Sequence, residues 1–328
     1  MSAQLTWLIG CLLWSLCPTA LVAAPPALKV GYDSWVGHAG VFVAAQKGFF
    51  DKQGIHVDLH AFPGPADTIP PVVAGDLDVA LTTPETVLSA DARESTDLIN
   101  VAMIDLSSGA DAIVVRNDIH DVAALRGKTI AVTFGQCNEL LLLEALAAVG
   151  LKETDVTLVN MDGDTSGAAF VAGRLDAAVT WEPWVSQVTS TGEGHVVFST
   201  RDVPDVIFDS VAVTRRFAAA HPDRIEAFLR GLDAGVKYLR SHPAESQLIV
   251  ARKLSVTPAA VAVMLKGVTV YDLKDNLMLF GTDAQHGRIY AAMDKVASFQ
   301  VEHHLYTTRV ASSAILAPTY LMQAARSK

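Results

Sequence analysis

Two nine-residue segments of this 328-residue chain follow one pattern. Ala74-Gly75-Asp76-Leu77-Asp78-Val79-Ala80-Leu81-Thr82 is echoed by Ala172-Gly173-Arg174-Leu175-Asp176-Ala177-Ala178-Val179-Thr180, with Gly75 and Gly173 lying 98 positions apart. The runs upstream echo each other too. Leu28-Lys29-Val30-Gly31-Tyr32 precedes the first copy by nearly the distance at which Lys128-Thr129-Ile130-Ala131-Val132 precedes the second. A self-similar period means that one supersecondary block is used twice, so the fold must contain two equivalent halves.

Each block reads as strand, helix, strand, helix, strand. Short β-branched runs alternate with helical patterns, here over residues 41–50 and 139–149. Gly48, Gly54, Gly150 and Gly173 fall at or just past the last periodic residue, where glycine takes a left-handed turn cheaply. Residues 55–59 alternate Ile55, Val57 and Leu59 against His56, Asp58 and His60, as a half-buried strand does. Strands and helices alternating at these lengths predict an α/β fold of two lobes, each a mainly parallel sheet flanked by helices.

From residue 203 the pattern turns helical, with helices expected over 223–240, 243–253, 258–266 and 288–304. Pro222, Pro243 and Pro258 stand where a first helical turn accepts proline. A chain that builds one lobe, then the other, then returns must cross twice, and the expected crossings are 107–111 and 204–210. The resulting division is a leader over 1–24, lobe one over 25–110, lobe two over 111–205, and a return to lobe one with C-terminal helices over 206–328.

The leader rests on LTWLIGCLLWSL at 5–16, an apolar run of signal-peptide length broken by Pro18 and followed by small residues. It is too short to span a bilayer. Val22-Ala23-Ala24 offers a cleavage site, and a lipid anchor at Cys11 or Cys17 is disfavoured because Leu16 is bulky and Cys11 sits early in the run. The mature chain is expected to be periplasmic or otherwise extracytoplasmic, and a monomer. It keeps one cysteine, Cys137, so no internal disulfide is available and packing alone must hold it. A net charge of -10 argues against nucleic acid as a partner.

In open α/β sheets, ligands sit beyond the carboxyl ends of strands, where loops lead into helix N-termini. That rule selects Asp33-Ser34-Trp35-Val36-Gly37-His38 and Thr82-Thr83-Pro84-Glu85 in lobe one. In lobe two it selects Phe134-Gly135-Gln136-Cys137-Asn138-Glu139, Asp162-Gly163-Asp164-Thr165 and Trp181-Glu182-Pro183-Trp184. Facing loops of this kind would enclose a cleft.

These residues carry a resemblance. Gly31-Tyr32-Asp33-Ser34-Trp35-Val36-Gly37 running into Phe42-Val43-Ala44-Ala45-Gln46-Lys47-Gly48-Phe49-Phe50, with the two later segments Val73 to Ala80 and Thr180-Trp181-Glu182-Pro183-Trp184, resembles the nitrate, sulfonate and taurine family of ABC solute-binding proteins, which includes the SsuA/THI5-like proteins. It covers roughly residues 28–240 and departs in the C-terminal helices. The resemblance implies a type II periplasmic-binding fold, and a receptor that hands a small solute to ABC permease subunits and their ATPase without catalysing a reaction or carrying a cofactor.

The expected ligand-binding residues are Trp35, Gly37, His38, Thr83, Glu85, Gln136, Asn138, Asp164, Thr165, Trp181 and Glu182, with no catalytic or metal-binding residue. Ordinary burial competes with ligand contact for each tryptophan, Trp184 most of all. Cys137 at a helix N-terminus could be a nucleophile, but a small residue allowing close approach is the simpler reading. His56, Asp58 and His60 on one strand face read as a solvated sheet face ahead of a metal site, and His303-His304 as a solvated pair at a helix end.

The cleft segments, with 105–111 and 204–210 added, contain no Lys or Arg. They hold Asp33, Glu85, Asp105, Asp111, Glu139, Asp162, Asp164, Glu182, Asp205 and Asp209. Carboxylates repel a bare anion, so a zwitterion, an amine or a heteroaromatic ring fits better, unless many of these acids merely cap helices. Two other functions stay open: thiamine-pyrimidine precursor binding or a synthase-like protein, the latter calling for a cytoplasmic chain and a cysteine-rich iron motif, and a ligand-sensing partner of a membrane receptor.

Overall fold

A computed structural model describes residues 26–94, 96–282 and 284–326; the apolar leader, its cleavage site, Cys11 and Cys17 lie outside the described residues. In chain order the main strands are β1 (Leu28–Tyr32), β2 (Val57–Ala61), β3 (Val79–Thr82), β4 (Leu98–Ser107), β5 (Asp111–Val115), β6 (Thr129–Val132), β7 (Thr157–Asn160), β8 (Ala177–Trp181), β9 (His195–Ser199), β10 (Phe208–Thr214) and β11 (Val268–Val270). They form two sheets. One has the order β11-β4-β10-β3-β1-β2 and the other β7-β6-β8-β5-β9.

The repeated block is visible in both. β2-β1-β3 and β7-β6-β8 are parallel triplets, and each is joined by helices that bury an apolar side against the sheet, as the buried Ala39–Ala44 and Leu140–Leu143 do. Outside the triplets the pairing is antiparallel: β10 with β3 and β4, β11 with β4, and β5 with β8 and β9. The sheets are therefore mixed, and "mainly parallel" is corrected to a parallel half plus an antiparallel half. The reason is connectivity. β4 runs almost straight into β5 of the other sheet, and the segment after β9 leads into β10 of the first, so each crossing strand enters from the cleft side and runs against its parallel neighbours.

The two crossings lie side by side and are bonded together. Ser107 Oγ lies 2.8 Å from Thr200 Oγ1, the Gly109 amide donates to Thr200 Oγ1 at 2.7 Å, and the Thr200 amide donates to the Asp111 carbonyl at 3.1 Å. Paired connections of a few residues are the kind of place where two packed bodies can rotate against each other.

Two local expectations shift for identifiable reasons. The first helix is Ala39–Gln46 and stops short of residue 50, because Gly48 takes φ 65° and a single turn, Asp51–Gln53, follows. β2 then starts at Val57, since Gly54 at φ 79° reverses the chain and the Ile55 amide bonds back to the Phe50 carbonyl at 3.2 Å. A two-residue shift keeps the alternation parity. His60 pairs with Asp58 and His56 with Asp51 on the exposed side.

The C-terminal helices Pro222–Ser241, Pro243–Leu254, Pro258–Met264 and Arg288–Glu302 follow the expected positions to within a few residues. Pro222–Ser241 packs on Ala39–Gln46, where Gly235 lets the backbones meet: a Cβ there would overlap the Gly40 carbonyl. Phe50 stacks on Phe228 with centroids 5.0 Å apart. Among the described residues no single helix is long and apolar enough to cross a membrane.

Candidate functional site

The carboxyl ends of β1, β3, β6 and β8 point at one another across the gap between the sheets, and the antiparallel crossing strands begin at the same edge. Eight positions follow from that geometry. Asp33 and Trp35 follow β1, Thr83 follows β3, Cys137 opens the helix Cys137–Ala148 after β6, and Trp181 ends β8. Asp111 begins β5 directly opposite Trp181, and Asp209 lies near the start of β10 opposite Asp105 of β4. With Pro65 and Ile207, all but Asp105 line a small cavity of about 20 Å³, space for about one water. The lobes are closed on it: Ser34 Oγ of one lobe donates to Asp164 Oδ2 of the other at 2.8 Å.

One carboxylate organises the tryptophans of lobe two. Asp164 Oδ1 accepts from Trp181 Nε1 at 3.0 Å and from Trp184 Nε1 at 2.9 Å. Gly163 and Gly167 on its helix leave room for those rings, because a Cβ at Gly163 would overlap the Trp181 indole and one at Gly167 would overlap Trp184. In lobe one Trp35 Nε1 donates to both oxygens of Asp105, at 3.2 and 3.1 Å. Gly37 serves that contact: any Cβ there would collide with the Asp105 carboxylate and the indole nitrogen.

The electrostatics are one-sided. Asp33, Glu85, Asp105, Asp111 and Asp209 are all buried, and no described Lys or Arg lines the cavity. Burial is the largest cause of every shift here, since low polarity disfavours the charged form. It pushes Glu85 and Asp111 up to about 7. Asp105 and Asp209 are driven well above the ordinary carboxylate range by burial and then by their acidic neighbours, and Asp33 is raised by burial against the attraction of His38. His38, fully buried, lies with Nδ1 3.5 Å from Asp33 and Nε2 3.7 Å from Asp209, and burial lowers its pKa. The cluster is thus a nest of acids whose burial resists ionisation, around an imidazole whose burial resists protonation.

Several polar atoms in this nest have no hydrogen-bond partner: both oxygens of Glu85, Asp111 Oδ2, and both ring nitrogens of His38. Buried polar atoms are nearly always partnered, so a cluster of orphans marks a place where a bound group belongs.

The sequence profile of the NMT1/THI5 like family matches residues 35–246, more than half of the chain. The chain belongs to the NMT1/THI5-like family. Its relatives include the taurine-binding periplasmic protein of Escherichia coli, 27% identical over 232 residues that make up 70% of this chain and 71% of that one. Among solved structures, the alkanesulfonate-binding protein SsuA from Xanthomonas axonopodis pv. citri bound to MOPS superposes with a TM-score of 0.76 at 24% identity, over 90% of this chain and 100% of that one. The desulfurization enzyme DSZB shares the architecture at a TM-score of 0.69 and 18% identity, over 92% and 99% of the two chains. The two-lobed periplasmic-binding fold is therefore established for this NMT1/THI5-like chain, and it is a fold that carries both receptors and an enzyme.

The eleven residues singled out in the sequence divide. Trp35, Thr83 and Trp181 line the cavity, and His38 and Glu85 stand behind it with unpartnered polar atoms. Asp164 closes the lobes, and Gly37 makes room for the Trp35–Asp105 contact. The other four have different employment. Gln136 lines a separate, larger groove of about 430 Å³ beside Arg93, Phe134 and Tyr306. Asn138 Nδ2 donates to the Val179 carbonyl, and the Thr165 amide donates to the helix-capping Asp162. Glu182 accepts from the Ser186 amide and hydroxyl, at 3.0 and 2.8 Å.

Asp33, Asp111, Asp209, Cys137, Pro65 and Ile207 also line the cavity without having been singled out as ligand residues. For the three aspartates the signal was present: each belongs to the cation-free acidic set at a strand end or a crossing. Ile207 lay within the expected crossing 204–210, whereas Pro65, which opens the short helix Pro65–Thr68, carried no signal.

Proposed function

We propose that this chain is an extracytoplasmic receptor that captures one small solute between its lobes and delivers it to the permease of an ABC importer. The observation that carries the reading is the small cavity lined by buried residues at strand ends of both lobes and bridged by Ser34 and Asp164. Closure around a ligand that touches both bodies is how such a protein signals occupancy, since a ligand shifts a two-state equilibrium only through contacts that differ between the states. Membership of a family with periplasmic binding relatives supports the location, as does the apolar leader at 5–16. The receptor acts as a monomer, and Trp35, Trp181, Thr83, Glu85, His38 and Asp164 form its solute site together with Asp33, Asp111 and Asp209.

A catalytic alternative would run through Cys137, which opens a helix inside the cavity. Nucleophilic cysteines need a lowered pKa and a cationic neighbour. Here burial, followed by Glu85, Asp111, Asp209 and Asp33, drives the thiol well above its ordinary value. That environment favours binding over chemistry.

The solute differs from those named for the relatives. A sulfonate or nitrate would meet buried carboxylates and no lining cation, so the recognised group donates hydrogen bonds. A thermal-shift screen of the mature chain tests the reading. One class of solute should raise the melting temperature with saturable 1:1 binding and stay chemically unchanged, whereas conversion to product at substrate-level rates would replace the receptor with an enzyme.

A further inference from the structure

Resting on that reading of the cleft, the acidic nest permits a narrower statement about the solute's charge. Asp111 is buried and lines the cavity with Oδ2 unpartnered, and Glu85, buried behind the lining beside Thr83 and Cys137, has neither oxygen in a hydrogen bond of ordinary geometry. These orphans are independent of the mere count of acids, because Asp105 in the same nest is fully engaged by Trp35. Leaving a buried acceptor unsatisfied costs about 1–3 kcal/mol, and more when it is charged. Several such atoms in one place are kept only if something fills them. The remaining lining is apolar or aromatic, from Trp35, Trp181, Pro65 and Ile207, a surface for carbon and for cations over indole faces. Among the described residues no group of three or more His, Cys, Asp or Glu converges as metal ligands do.

We propose that the solute carries a small cationic group bearing several N–H donors, of ammonium or amidinium type, seated on Asp111 and Asp209, with Glu85 behind them, beside the indoles of Trp35 and Trp181. The cation replaces the protons that the carboxyls otherwise hold. A neutral donor could satisfy the orphan oxygens but would leave uncompensated any charge the carboxyls take on by ionising, and an anion would oppose that ionisation with no Lys or Arg in the lining to receive it. Planar N–H donors also match the paired oxygens of a carboxylate, which gives such cations an advantage over a fully alkylated ammonium of equal charge.

The test is a calorimetric titration of the mature chain at pH 7.5 with millimolar guanidinium, methylammonium, tetramethylammonium, nitrate, methanesulfonate and taurine. Guanidinium or methylammonium should bind 1:1, tetramethylammonium should bind at least tenfold more weakly, and nitrate and methanesulfonate should not bind. Binding should release protons, seen as a heat that depends on the ionisation enthalpy of the buffer. Asp111→Asn and Glu85→Gln should each weaken the cation at least tenfold. Nitrate or methanesulfonate binding in place of the cations overturns the charge assignment and leaves the receptor reading standing, and so does failure of every N–H cation to bind. Cation binding that is unchanged in Asp111→Asn, Glu85→Gln and Trp181→Ala overturns both, because the ligand then sits elsewhere. If a variant does not fold, the panel on the unaltered chain still decides between cation and anion.

Discussion

Ser34 Oγ donates to Asp164 Oδ2 at 2.8 Å, and that bond ties the loop after β1 to the helix Gly163–Val171 of the opposite lobe. Asp164 is already fixed by two indole N–H groups on its other oxygen, so the serine meets an acceptor whose position is set in advance. A hydrogen bond to a charged group is worth about 1.5–3 kcal/mol. Ser34→Ala should therefore lower the closed fraction and speed solute dissociation by roughly tenfold, with the unfolding midpoint almost unchanged. A larger radius of gyration by small-angle scattering and a faster off-rate would be seen together; a compact variant with an unaltered off-rate would remove this bond from the closure mechanism.

The two cavity tryptophans should separate in their effects. Trp181→Ala should cost about tenfold to a hundredfold in affinity, the worth of an aromatic contact. Trp35→Ala should also lower stability, by about 3–5 kcal/mol, because the ring is buried and Asp105 loses its donor. Glu182→Gln should change affinity little, since Glu182 spends its oxygens on Ser186. Parallel urea melts and solute titrations of the three variants measure both quantities.

The buried acids make ligand-free stability depend on pH in an unusual sense. Glu85 and Asp111 titrate at about 7 when folded, against 4.5 and 3.8 for the ordinary groups. Between those values the native state holds more protons than the unfolded chain, so unfolding free energy falls as pH rises. The melting temperature without solute should be highest near pH 4–5 and decline through pH 7, flattening only after Asp105 and Asp209 have ionised as well. Glu85→Gln should flatten part of this slope and melt higher than the unaltered chain at pH 8. A melting temperature that climbs from pH 5 to pH 8 would contradict the buried, raised carboxyls.

Cys137 is 3% exposed, and its thiol is held well above the ordinary range. It should react with a disulfide reagent at pH 7.5 at least a hundredfold more slowly than a free thiol, and at the free rate in 6 M guanidinium chloride. Fast labelling of the native protein would mean that the cavity opens widely without solute.

Much of the architecture was legible because it depends on neighbours in sequence. The repeat at Gly75 and Gly173, the glycines that end helices and the prolines that begin them act within a few residues, and they predicted the parallel triplets and the C-terminal helices. Trp35 and Trp181 were reachable for the same reason, each following a strand whose carboxyl end could be read. The antiparallel half was hidden, because strand direction in β5 and β10 is imposed by the other lobe and not by their own composition.

The ten acids of the cleft segments show where local pattern stops. Each stands near a strand end or crossing, and that much is written in the chain. Their roles differ through contacts the chain order does not reveal. Asp162 caps its own helix at the Thr165 amide, Glu139 accepts from the Gly135 amide, and Glu182 turns to Ser186, all within four residues. Asp105 and Asp209, about a hundred residues apart, become neighbours only because β4 and β10 pair antiparallel. Asp111 faces the same cavity because β5 leaves the first lobe to pair with β8. The type and number of charges are properties of the sequence. Their burial together, and hence their shifted protonation, arises only when distant strands are packed edge to edge and water is excluded from between them.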